Sequence, residues 1–117
     1  MGQSKKAKVL RIYLDENLKS DGELLYRAIL KKWMELKMTG ATVFKAVEGF
    51  GASAHIHDAG ILEISENLPM VVEMVDEPAR VKKALLAIEK LLPAHGLVTL
   101  QDIQVLHMIR PSKKRKK

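Results

Sequence analysis

The sequence predicts an α+β sandwich built from two strand–helix–strand halves, with one antiparallel sheet carrying both helices on a single face. Three observations point to it. Segments of two-residue and helical periodicity alternate in the order strand, helix, strand, twice over. Each half supplies only one helix, of about four turns, so the helices cover only one face of a sheet. The 117 residues leave room for one domain.

Val9 to Leu14 reads as the first strand, with Leu10, Ile12 and Leu14 on one face and Val9, Arg11 and Tyr13 on the other. Asp15 to Asp21 is polar and breaks the pattern. Ser20 followed by Glu23 has capping-box spacing. Glu23, Arg27, Lys31 and Glu35 then mark one solvated face, which predicts a helix over 21–37 that ends at Gly40. Ala41 to Val47 alternates as a second strand until the glycine-rich run 48–53 begins a loop. Residues up to Gly60 have no clean period, and Ile61 to Ser65 suits either a short strand or the returning stem of the loop. Met70 to Val75 is a stronger strand, preceded by Pro69. Asp76, Glu77 and Pro78 start a second helix, whose buried stripe is Val81, Leu85, Ile88 and Leu92 and which Pro93 and Gly96 stop. Leu97 to Ile109 has strand character, with Ile103, Val105, His107 and Ile109 on one face.

These elements make a ferredoxin-like βαββαβ sandwich. The expected organisation is an N-terminal extension over 1–7, the domain over 8–110 and a disordered basic tail over 111–117. The uncovered sheet face would carry Val9, Arg11 and Tyr13 or their alternates, Val71, Glu73 and Val75 or theirs, and Gln104, Leu106 and Met108. Such a face is too apolar to leave wet, which points to self-association.

Apolar residues at 47% and charged ones at 29% suit a solvated domain with a core. No apolar run reaches the length of a membrane span, and a cytoplasmic chain is expected. With no cysteine, disulfides and thiol chemistry are excluded. The net charge of +6 suggests an anionic partner, but Lys113, Lys114, Arg115, Lys116 and Lys117 supply five of the 20 cations. The remaining 15 against 14 acidic residues leave the folded part near neutral, and the tail reads as a solubilising extension.

Gly40 to Val43, Glu48-Gly49-Phe50-Gly51-Ala52-Ser53, Ile56-His57, Ile61 to Pro69, Val71 to Asp76 and Gly96 to Thr99 resemble, in this order and spacing, the uncharacterised PII-like (nitrogen-regulator-like) family known as domain of unknown function 190. The resemblance covers about residues 8–109. It implies a homotrimer with a nucleotide-type ligand in the clefts between subunits, and a loop after the second strand that reports the ligand to a partner. That partner would be a membrane transporter or an enzyme. It also implies that the ligand is an adenine nucleotide, AMP, ADP or ATP. One departure is Ala54-His55, where such proteins often carry two basic residues.

Gly49 and Gly51 let loop amides approach an anion, Ser53 and His57 add donors, and Lys45 adds a charge on the adjoining strand. These five residues form the expected ligand site. His55 and His57 share one side of an extended segment, but with only Asp58 beside them they make an incomplete metal set, and no metal is expected. Met34, Met70 and Met74 fall in core elements and read as packing residues. No catalytic residue is expected. Ser53 has no base and orienter at usable spacing, and the loop Asp15-Glu16-Asn17-Leu18-Lys19 would repel the phosphate that small acyl-phosphate hydrolases of this fold hold there. An RNA-recognition surface would need stacking aromatics, for which only Tyr13 and Phe44 are candidates. The expected role is a regulatory, non-enzymatic protein that senses its ligand through the loop 48–60. The alternatives are a small enzyme acting on a phosphorylated or nucleotide substrate, and a structural interaction module. A nucleic-acid binder using the tail ranks behind these, and nucleic acid is not expected as a partner.

Overall fold

The computed structural model describes residues 4–49, 68–93 and 96–107. In chain order the elements are β1 (Lys5–Asp15), β2 (Lys19–Ser20), β3 (Glu23–Leu24), α1 (Leu25–Glu35), β4 (Thr42–Lys45), β5 (Pro69–Asp76), α2 (Pro78–Ile88) with a 3-10 turn at Glu89–Leu91, and β6 (Leu97–Val105). The main sheet has the order β4-β5-β1-β6, every neighbouring pair antiparallel. This is the ferredoxin-like arrangement that the element order predicts.

One face of the sheet is covered. Leu10, Ile12 and Leu14 of β1 and Val72 and Met74 of β5 meet Leu25, Ile29 and Trp33 of α1 and Val81, Ala84 and Ile88 of α2 in one buried cluster. The four-residue spacing of Leu25, Ile29 and Trp33 gives α1 its buried stripe. The Trp33 indole N–H donates to the Ala84 carbonyl at 3.1 Å and ties the helices together. Of the expected α2 stripe, Val81 and Ile88 are fully buried, while Leu85 and Leu92 pack only at its margin, and Ala84 takes the central place. No described helix is long and apolar enough to cross a membrane.

Several expectations are corrected. Ser20 and Glu23 do not cap a helix. They pair across a two-residue turn, Asp21-Gly22, whose φ angles of 51 and 80 are both positive, as a type I′ hairpin requires. The helix therefore starts at Leu25. It ends earlier too: the amides of Lys37 and Met38 donate to the carbonyls of Met34 and Trp33 at 3.0 and 3.1 Å. That is a Schellman ending with Lys37, at φ 60, in the left-handed position expected of Gly40. Met34 lies on the solvent side of α1, 77% exposed, and is not a packing residue, unlike Met70 and Met74.

On the uncovered face the register sets out rows across the strands. Phe44, Val71, Tyr13 and Leu97 form one row, and Thr42, Glu73, Arg11 and Thr99 the next. Gln101 and Ile103 follow on β6, opposite Val9 and Ala7. Gln104, expected on this face, pairs with Lys6 and belongs to the other. Alternation gives two choices of face, and only register against β1 selects between them.

Candidate functional site

Two features lie at opposite ends of the edge strand β4. At its C-terminal end is Lys45, whose partner Met70 stands at the start of β5. The Ala46 amide donates to the Pro69 carbonyl at 3.0 Å, continuing the pairing one step beyond the strand. Gly49 follows at φ 158, where a side chain is disfavoured, and a Cβ there would lie 3.3 Å from Pro69 Cγ. The backbone angle favours glycine at this point, and a side chain would also crowd the Pro69 ring.

The turn after β1 reaches the same place. Glu16 donates its amide to the Leu68 carbonyl at 3.0 Å, and its Oε2 accepts the Leu68 amide at 3.3 Å. Its other oxygen, Oε1, lies 3.0 Å from Lys45 Nζ. The hydrogen bond from Lys45, aided by the Leu68 amide, holds the Glu16 carboxyl below the usual carboxylate range. Glu16 therefore touches both stems of the segment between β4 and β5.

At the N-terminal end of β4 an open cleft of about 420 Å³ is lined by Thr39, Thr42, Glu73, Val75, Val105 and His107 among others. It mixes hydroxyls, a carboxylate, an imidazole and aliphatic walls, within the size range of small-molecule sites. Beneath it Asp76 is 1% exposed and fully engaged. Asp76 accepts from the Glu77 amide at 2.8 Å, the Thr39 hydroxyl at 3.1 Å and Arg80 Nε at 3.1 Å. Arg80 also donates to the Lys37 carbonyl at 2.7 Å. Burial acts to raise the Asp76 carboxyl, but these donors outweigh it and hold the group below its ordinary value. The network fixes residues 37–39, and Thr39 at its end lines the cleft. Arg11 bonds Glu73 at 2.8 Å and Gln101 at 2.9 Å, so the carboxylate beside the cleft is already paired.

Of the expected ligand residues, the structure places Lys45 and Gly49 together at the base of the loop, while Gly51, Ser53 and His57 lie outside the described residues, as do His55 and Ile61 to Ser65. Thr42 and His107 of the cleft, and Glu16, are not among the ligand residues that the sequence suggests. Thr42 reads as an ordinary strand residue, and Glu16 as a carboxylate that repels anions. Its proximity to Lys45 is a tertiary contact with no local signal.

Sheet order, helix layer and the long β4–β5 connection define a protein of the PII-like fold. The structure is similar to CPII, a nitrogen regulatory PII-like protein from Thiomonas intermedia K12 bound to ADP, AMP and bicarbonate, with TM-score 0.62 and 18% identity over 92% of this chain and 100% of that one. It is also similar to a PII-like signaling protein from Thermus thermophilus, with TM-score 0.59 and 14% identity over 89% and 93% of the two chains. A third similar structure is the GlnK–ATP complex of B. subtilis, with TM-score 0.52 and 13% identity over 84% and 82%. In sequence, the chain is 35% identical to the UPF0166 protein of Aquifex aeolicus over 88% of its length and 96% of that protein's. It is also 35% identical to a UPF0166 protein of Methanocaldococcus jannaschii over 86% and 92%. Residues 7–105 match the family described as Uncharacterized ACR, domain of unknown function 190, and the chain belongs to that family.

Proposed function

We propose that this chain is a regulatory protein, not an enzyme, that binds an adenine nucleotide along the edge strand β4 and reports it through the loop over 48–60. The observation that carries the reading is the pairing of two features on one strand. A cleft with mixed polar and apolar walls opens at Thr42, and a cation and a glycine with a backbone angle that disfavours a side chain stand at Lys45 and Gly49. Thr42 and Lys45 lie three steps apart on this edge strand, about 10 Å, on opposite faces of the sheet, so a nucleotide reaching both would run along the outer edge of β4 with its base at one end and its phosphate at the other. Likeness of fold to proteins whose structures hold ADP, AMP or ATP supports the choice of ligand. Gly51, Ser53 and His57 complete the phosphate end in this reading. The cleft is open, and a neighbouring subunit of a homotrimer closes it. The partner addressed by the loop is a transporter or an enzyme.

Calorimetry with AMP, ADP and ATP tests the proposal. We expect saturable heat with at least one of them and a raised melting temperature, since a ligand that binds only the folded state stabilises it. Gly51→Val should abolish the heat with little loss of stability. The absence of both heat and melting shift at millimolar nucleotide would overturn the reading in favour of a structural interaction module. Conversion of bound nucleotide to product over hours would favour the enzyme.

A further inference from the structure

Among the described residues, the fold brings the acidic side chain of Glu16 to Lys45. Glu16 Oε1 lies 3.0 Å from Lys45 Nζ, the separation of a charge-assisted hydrogen bond. The two partners differ in access: the Glu16 side chain is 17% exposed and that of Lys45 is 60% exposed. The carboxylate is held from behind, by Oε2 on the Leu68 amide and by the backbone bond from Glu16 N to the Leu68 carbonyl. The ammonium keeps an open side toward solvent. A lysine in this setting offers an incoming anion little net attraction, because its charge is already answered and the carboxylate repels the newcomer.

We infer that Glu16 is a built-in competitor for the anion seat at Lys45, so that a phosphate group binds there by displacing the Glu16 carboxylate. The proposal deepens the nucleotide reading and rests on it for the identity of the physiological ligand. Two consequences follow from the geometry. A singly charged anion gains little by exchanging one oxygen for another, whereas a phosphate ester or diphosphate brings more charge and several acceptor oxygens to the same ammonium. Moreover, the displaced carboxylate also holds the Leu68 amide, at the return stem of the loop, so filling the seat alters the hold on that stem. Glu16 is in this sense a specificity-determining residue, setting how strong an anion must be to enter.

The experiment uses the full chain as wild type, Glu16→Gln, Glu16→Asp, Lys45→Gln and the Glu16→Gln/Lys45→Gln pair. Glutamine keeps an acceptor for the Leu68 amide while removing the competing charge, and aspartate keeps the charge but withdraws it by one methylene. Inorganic phosphate is titrated while acylation of Lys45 is followed by peptide mass spectrometry, and ADP is titrated by calorimetry on the same samples. We expect Glu16→Gln to lower the phosphate concentration that protects Lys45 by about two- to fivefold, the range an exposed ion pair is worth, and to tighten ADP by a similar factor. Aspartate should fall between glutamine and wild type. In the Lys45→Gln background the Glu16→Gln change should add nothing to ADP binding, because the coupling is between these two groups. Equal or weaker protection by phosphate in Glu16→Gln and Glu16→Asp, at unchanged melting temperature, would overturn the proposal and leave Glu16 a brace of the loop stems. A phosphate shift without ADP binding to any of the proteins would support the anion seat and remove the nucleotide.

Discussion

Asp76 is the one polar residue that is buried among those described. It accepts from a backbone amide, a hydroxyl and a guanidinium, and through Arg80 it reaches the carbonyl that ends α1. Its folded value lies below the unfolded one, so its contribution to stability is fully present above the unfolded value and is lost as pH falls through the lower folded value. Asp76→Asn should therefore cost about 2 kcal/mol near neutral pH, and the gap from wild type should begin to narrow as the pH falls below about 4. Urea titrations of both proteins across that range check it, and a pH-independent difference would count against the assignment. The helix start at Asp76 was legible in the sequence, since a carboxylate before Glu77 and Pro78 is a local signal. Its bonds to Thr39 and Arg80, and that of Glu16 to Lys45, were not, because they join residues that only the fold brings together.

At the scale of elements, α1 shows how one spacing can serve two structures. Ser20 and Glu23 stand three apart, which fits a capping box and equally a pair of residues facing each other across a two-residue turn. The Asp21-Gly22 dipeptide decides, since it takes the two positive φ angles of a type I′ turn at little cost. The other end of the helix is less favourable. Lys37 occupies a left-handed position that disfavours a Cβ, while its amide and that of Met38 complete the ending. Lys37→Gly should accordingly stabilise the protein, by about 1 kcal/mol, with the bond from Arg80 to the backbone carbonyl retained. Chemical denaturation measures it, and a loss of stability would show that the lysine side chain contributes more than its backbone costs. The presence of both helices and the order of the main elements followed from periodicity and from the rules of chain connection. The face presented by β6 did not, because alternation alone does not say which set turns inward.

For the whole molecule the open sheet face is the unfinished surface. The row Phe44, Val71, Tyr13 and Leu97 crosses all four strands, and its large members are 51, 37 and 54% exposed at Phe44, Tyr13 and Leu97. Covering it in a trimer would remove that apolar area from water. Sedimentation should give a trimer at micromolar concentration, and Phe44→Glu should lower the assembled mass while leaving the protomer folded. A wild-type monomer would sink the expectation. The central strand has a further consequence. Arg11 of β1 meets Glu73 and Gln101, which lie 62 and 90 residues further along the chain. On the ribosome β1 is made first, and both of its flanking strands are made long afterwards. Until β5 and β6 emerge, the nascent polypeptide therefore displays an apolar strand with two bare edges. In that interval the strand is open to misassembly, and holding factors that bind extended apolar segments would act on it before β6 arrives.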